Sequence, residues 1–191
     1  DLSNNKIADI SPITSMTALK NLNISKNNLS TIKGLEVCKE LTVLNISSNT
    51  ISQLPTIHSM QQLVELRLAS NPIKNLKNLE DLKNLVTLDV SDCEIVNLDF
   101  VNNMSKLINL NMSDTNIASL SPLNSLKLKE LYLSGCLVSD LSPILSMQDL
   151  FRLDISDTKV YDITNIKDLA SLEYLDISGL EIQSVAAIKE L

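Results

Sequence analysis

The chain has no tryptophan, and its 191 residues include only three Tyr and two Phe. Its 44% hydrophobic content is therefore aliphatic, which excludes a core built on packed rings. Glycine occurs three times, and no glycine-rich phosphate loop, Cys-x-x-Cys pair or His-Glu-x-x-His helix is present. The single histidine, His58, lies beside Ser59 with no thiol or carboxylate placed to complete a triad, so it reads as a partly exposed structural residue. Catalysis is not expected. Arginine occurs twice, at Arg67 and Arg152, and lysines nowhere cluster to neutralise phosphates, so nucleic-acid binding is not expected. No apolar run approaches the roughly 18 residues a membrane-spanning helix needs, and membrane insertion is not expected.

What is present is a period. Leu19, Leu41, Leu63, Leu85, Leu107, Leu128, Leu150 and Leu172 recur every 22 residues, with one step of 21. Taking each of these as position 1, a unit reads Leu-x-x-Leu-x-Leu-x-x-Asn-x-Ile, followed by a second apolar stretch. In the second unit these are Leu41, Leu44, Ile46, Asn49 and Ile51, then Leu54, Ile57 and Met60. Such a unit cannot bury its apolar face alone, so the copies must stack. The pattern is that of a leucine-rich repeat. It predicts an α/β fold: a curved, right-handed solenoid with a parallel β-sheet on the concave face and short helical or irregular turns on the convex face. Residues 1–191 form one array of about nine repeats with truncated ends. Asp1 opens mid-repeat and Leu191, equivalent to Leu169, closes mid-repeat, so a fragment of a longer protein is expected.

Alternation in Asn21-Leu22-Asn23-Ile24-Ser25 predicts a strand with one buried face. Pro12, Pro122 and Pro143, each after Ser, open convex turns where a missing backbone donor costs little. Position 9 runs Asn5, Asn27, Asn49, Asn71, Cys93, Thr115, Cys136, Thr158 and Leu180. Asn can donate to and accept from the backbone of neighbouring coils, Thr and Cys only in part, and Leu not at all, so this ladder is expected to loosen at the C-terminal end.

Cys93 and Cys136 share that column two units apart, roughly 10 Å, beyond a disulfide, and Cys38 lies on the convex return. Three unpaired thiols favour a reducing compartment, so an intracellular location, cytoplasmic or nuclear, is expected, with cell surface or secreted as the alternative. The glycosylation sequons at Asn23, Asn45 and Asn111 fall on the concave sheet, where a glycan would obstruct binding.

These repeats resemble the 22-residue class found in the regulatory subunit of protein phosphatase 1 and in bacterial internalins. Asp9-Ile10-Ser11-Pro12-Ile13 and Asp140-Leu141-Ser142-Pro143-Ile144 are similar to the convex segment of internalin repeats. The resemblance implies a non-catalytic scaffold that binds a protein on its concave face, of phosphatase-regulatory type. Alternatives are an internalin-like adhesion module and the targeting domain of a larger enzyme. The chain departs from internalins in having few concave aromatics and in carrying Cys and Thr at position 9.

The formal charge of −7 is uneven. Residues 1–95 carry 9 basic and 10 acidic side chains, residues 96–191 carry 7 and 13. Acidity of this kind favours a basic partner segment, or serves solubility alone. On the concave columns, bulk gathers in the last units. Tyr132, Arg152 and Tyr174 fall on adjacent strands, Phe151 lies at their edge, and Glu130, Asp154, Asp157 and Asp176 surround them, with Arg67 further back. Tyr and Arg bury area while still hydrogen-bonding, so these nine residues are the candidate partner-binding site. Asp92 with Asp114, and Asp154 with Asp176, place like charges in adjacent units. A Ca²⁺ ion joined by Asp89 could offset the first pair, but carboxylates can also splay into water, so neither a metal nor any cofactor is expected. A small-molecule ligand is not expected.

Overall fold

The structure is a computed structural model that describes residues 1–190. Eight three-residue strands appear at the predicted places: β1 Asn21–Asn23, β2 Val43–Asn45, β3 Glu65–Arg67, β4 Thr87–Asp89, β5 Asn109–Asn111, β6 Glu130–Tyr132, β7 Arg152–Asp154 and β8 Tyr174–Asp176. They form one parallel sheet in chain order. Each residue pairs with its equivalent one unit on, as Leu22 with Leu44 and Asn45 with Arg67. The 22-residue period therefore sets the register directly. The middle leucine of each strand from Leu22 to Leu153 is buried, and the residues on either side look outward.

The strands stop at position 5 in every unit, two residues earlier than alternation predicts, and the side chain at that position caps the bend in most of them. In seven units it is Asp or Asn, and its Oδ1 accepts the backbone N–H two residues on: Ser3 to Asp1, Ser25 to Asn23, Ser47 to Asn45, Ser91 to Asp89, Ser113 to Asn111, Ser156 to Asp154 and Ser178 to Asp176. This Asx turn holds the bend by which the chain leaves the strand. At position 8 every unit then takes a left-handed residue, from Asn4 at φ 58° through Asp92 at 52° and Asp114 at 57° to Gly179 at 68°. Asn and Asp tolerate that region better than most residues, and glycine enters it without a Cβ penalty. The sequons at Asn23, Asn45 and Asn111 coincide with these turns, so Asn-x-Ser is accounted for by the bend itself.

The position 9 side chains then tie coil to coil. Asn49 donates to Ile46 O and Ser47 O of its own coil and to Ile24 O of the coil before, and accepts from Leu29 N. Asn27 and Asn71 repeat the pattern. The ladder loosens earlier than expected, at Cys93 and not only at the C-terminal end. Cys93 reaches back to Leu68 O at 3.6 Å but offers no amide oxygen, so the Ile73 N–H turns to Asn71 O of its own coil. Thr115 bonds to Met112 O within its coil and meets Cys136 Sγ of the next coil at 3.4 Å, while Thr158 bonds to Ile155 O within its own. Cys136 bridges backward, as Cys93 does, to Met112 O at 3.0 Å.

A second turn opens the convex return. At position 13, Asp9, Thr31, Asn75, Asn97, Ser119, Asp140, Asp162 and Ser184 each accept the N–H two residues on. A 3-10 turn follows each, including Ser11–Ser15, Ser121–Leu123 and Ser142–Ile144, which the Ser-Pro pairs start as expected. Gln53 occupies position 13 in the remaining unit, and among the described residues that unit alone has no 3-10 turn. Glutamine cannot make the short Asx ring, and Pro55 removes a donor.

The buried aliphatics form one cluster from Ile10 to Leu169. Packing thins at the ends: Leu2 is exposed, and Ile7, Leu175, Ile177, Leu180 and Ile182 are only partly buried. Leu191 lies outside the described residues.

Candidate partner-binding face

The outward face of the sheet consists of columns, and position 5 shows which side chains the fold requires. Seven of its members make the Asx turn. Two do not, Arg67 and Tyr132, and both fold back on a glutamate at position 3 of their own strand. Arg67 Nε lies 2.7 Å from Glu65 Oε1, and Tyr132 Oη donates to Glu130 Oε2 at 2.6 Å. Glu65 and Glu130 are the two glutamates of that column. Beside Arg67, position 7 is Ala69, the one unit without a serine there.

Around Tyr132 the structure brings together most of the predicted residues. Glu130 also faces Arg152, whose Nε is 3.8 Å away. The guanidinium carbon of Arg152 stands 4.2 Å from the centroid of the Tyr174 ring. Such stacking combines a cation–π attraction with a flat donor surface. Tyr174 remains 42% exposed, whereas Tyr132, Arg152 and Phe151 are half-buried. Phe151 sits just before β7, where its carbonyl accepts the Glu173 and Tyr174 N–H groups. Burial, then the hydrogen bond and charge of Glu130, push the Tyr132 phenol up to about 12.

The acidic residues divide into two kinds. Asp154 and Asp176 are register partners, and each holds its own serine: Asp154 accepts from Ser156 Oγ at 2.6 Å and Asp176 from Ser178 Oγ at 2.7 Å. The Ser178 hydroxyl and N–H hold the Asp176 carboxyl below its usual range. Asp89 is likewise turned to Ser91 Oγ, at 2.7 Å. Asp92, Asp114 and Asp157 are the left-handed residues of their units. Where the next unit has glycine at that position the carboxylate leans over it. A Cβ on Gly135 would stand 2.5 Å from Asp114 Oδ1, and one on Gly179 would meet Asp157 Oδ1 closer still. Among the described residues, no group of three or more acidic, His or Cys side chains converges as a metal site would.

Arg67 lies three strands from Tyr132 and does not join this cluster. Two surface features were missed from the sequence. Val64, 41% exposed, with half-buried Val86 and Ile108, forms an aliphatic column at position 2. Tyr161, at position 12 of its unit, is 74% exposed. Aligning these two columns would have shown both, because the neighbouring units place Ser139 and Gln183 where Tyr161 stands.

The comparisons agree with this architecture. The family model for leucine-rich repeats (two copies) matches residues 1–37. No curated protein matches the chain. An internalin (inlF) from Listeria monocytogenes superposes with a TM-score of 0.93 at 25% identity, over 98% of this chain and 56% of its own. Internalin C2 of the same organism gives 0.85 at 26%, over 92% and 78%. A leucine-rich-repeat protein of Leptospira interrogans gives 0.93 at 28%, over 100% and 51%. The chain thus spans about half the length of the first and third of these relatives. Period, register, turn chemistry and structural likeness converge on one conclusion: this is a leucine-rich-repeat solenoid.

Proposed function

We propose that the chain is a non-catalytic scaffold that binds a partner protein on the outward face of its sheet, centred on Tyr132, Arg152 and Tyr174. The observation that carries this reading is the stacked Arg152–Tyr174 pair joined to Tyr132 through Glu130, a preordered polar and aromatic surface with unpaired Asp157 at its rim. Bulky side chains that the fold does not need, held in fixed rotamers, lose little entropy when a partner covers them. Asp154, Asp157 and Asp176 favour a basic segment there. Among proteins that share the fold alone, the plant peptide hormone receptor RGFR1 has been solved in complex with RGF2.

The test is capture from the source cell's lysate by the wild type beside an Arg152→Glu, Tyr174→Ala variant. A protein retained by the first and lost by the second supports the reading; equal capture sinks it.

The likeness to two Listeria internalins favours a second reading, an internalin-like adhesion module at the cell surface, over the phosphatase-regulatory type. The three buried, unpaired thiols favour the intracellular location. Fractionation of the source cell with an antibody to the chain separates the two: recovery at the cell surface overturns the intracellular reading.

A further inference from the structure

Between Arg67 on β3 and Tyr132 on β6, the sheet face has two unlike edges. At the strand starts lie aliphatic Val86 and Ile108, both half-buried. At the strand ends lie Asp92 and Asp114, fixed in left-handed turns. No Lys or Arg occupies an outward position of these two units. The anchors at either end are the two members of their column that make no Asx turn. Arg67 pairs through Nε with Glu65, and its side chain stays 47% exposed. Three strand steps separate the anchors, about 14 Å.

We infer that Arg67 and Tyr132 anchor the two ends of one bound segment, a basic amphipathic stretch of a partner protein that lies across β3–β6 with aliphatic side chains on Val86 and Ile108 and Lys or Arg toward Asp92 and Asp114. This rests on the reading that the sheet face is the binding face, and it extends the contact beyond β6–β8. The charge pattern carries it: a segment with an apolar edge and a basic edge satisfies both columns at once, whereas an acidic one is repelled along the whole strand-end side.

The probe is a displayed library of random peptides about 16 residues long, enough to cross the span as strand or helix, panned against the whole chain. Enriched peptides should be net basic with spaced aliphatic residues. Their affinity should fall about fivefold or more in each of three variants: Glu65→Gln with Arg67→Gln, which leaves net charge unchanged; Tyr132→Ala; and Asp92→Asn with Asp114→Asn, which keeps residues suited to the left-handed turn. Peptides weakened by Tyr132→Ala and Tyr174→Ala but indifferent to the Glu65/Arg67 change overturn the two-anchor inference and leave the β6–β8 reading standing. Acidic consensus peptides, no enrichment, or binding indifferent to every variant overturns both. If the Asp92/Asp114 variant unfolds, salt decides: a steep loss of wild-type affinity between low and high ionic strength supports the basic segment, and a flat response removes it.

Discussion

One carboxylate serves both Tyr132 and Arg152: Glu130 accepts a hydrogen bond from the phenol at 2.6 Å and faces the guanidinium at 3.8 Å. Glu130→Gln should therefore bring the Tyr132 phenol down from about 12 toward the ordinary tyrosine value of about 10. Ultraviolet titration of the three tyrosines would show the late ionisation lost in the variant. An unchanged late phase would mean that burial alone raises it. The same shift bears on stability. A folded-state pKa above the unfolded one favours the folded chain at lower pH, and that contribution disappears as pH rises from about 10 to about 12.

Asn49→Ala should be far more damaging than Thr158→Val. Asn49 makes three donor contacts and accepts from Leu29 N, so its loss strands backbone groups in two coils, costing roughly 3 kcal/mol or more. Thr158 holds Ile155 O with one 2.7 Å bond, and its loss should cost about 1 kcal/mol. Denaturant unfolding of the two variants gives the order directly.

Gly135→Ala places a methyl where φ is 70° and Asp114 Oδ1 is 2.5 Å away. The expected cost is about 1–2 kcal/mol, part conformational and part contact. Adding Asp114→Ala should recover the contact part, because that oxygen is then gone. A double-mutant cycle with no coupling would show that the conformational part is the whole effect.

Cys38, Cys93 and Cys136 are buried and unpaired. Burial raises all three thiols, Cys93 to about 11. An aromatic disulfide reagent at neutral pH should leave them unmodified in the folded chain and titrate all three in denaturant. Rapid reaction of any one while the array is folded would contradict its burial.

The fold was legible because repetition turns sequence spacing into spatial register. Leu44 must pair with Leu66 once the unit length is known, and no long-range inference intervenes. The local turns were less legible. Asp89 and Asp154 read as open carboxylates in the columns, yet each is engaged by the serine two residues on, a bond that only the backbone bend creates. Alternation extended the strands to position 7 because it detects side-chain direction, which continues past the point where the ladder pairing ends. The binding residues were legible by type, since Tyr132, Arg152 and Tyr174 are the large side chains in columns of small ones. Their mutual contacts were not, because rotamers decide whether Arg152 meets Glu130 or Asp154.

The bridges from Asn27, Asn49 and Asn71 stop before the coils that carry β6, β7 and β8. The bulky surface therefore sits on the half of the array with fewer side-chain links between coils. A partner laid across those strands would serve as an external brace, and its arrival would register as slowed amide exchange in the very coils that the asparagine ladder leaves unstitched.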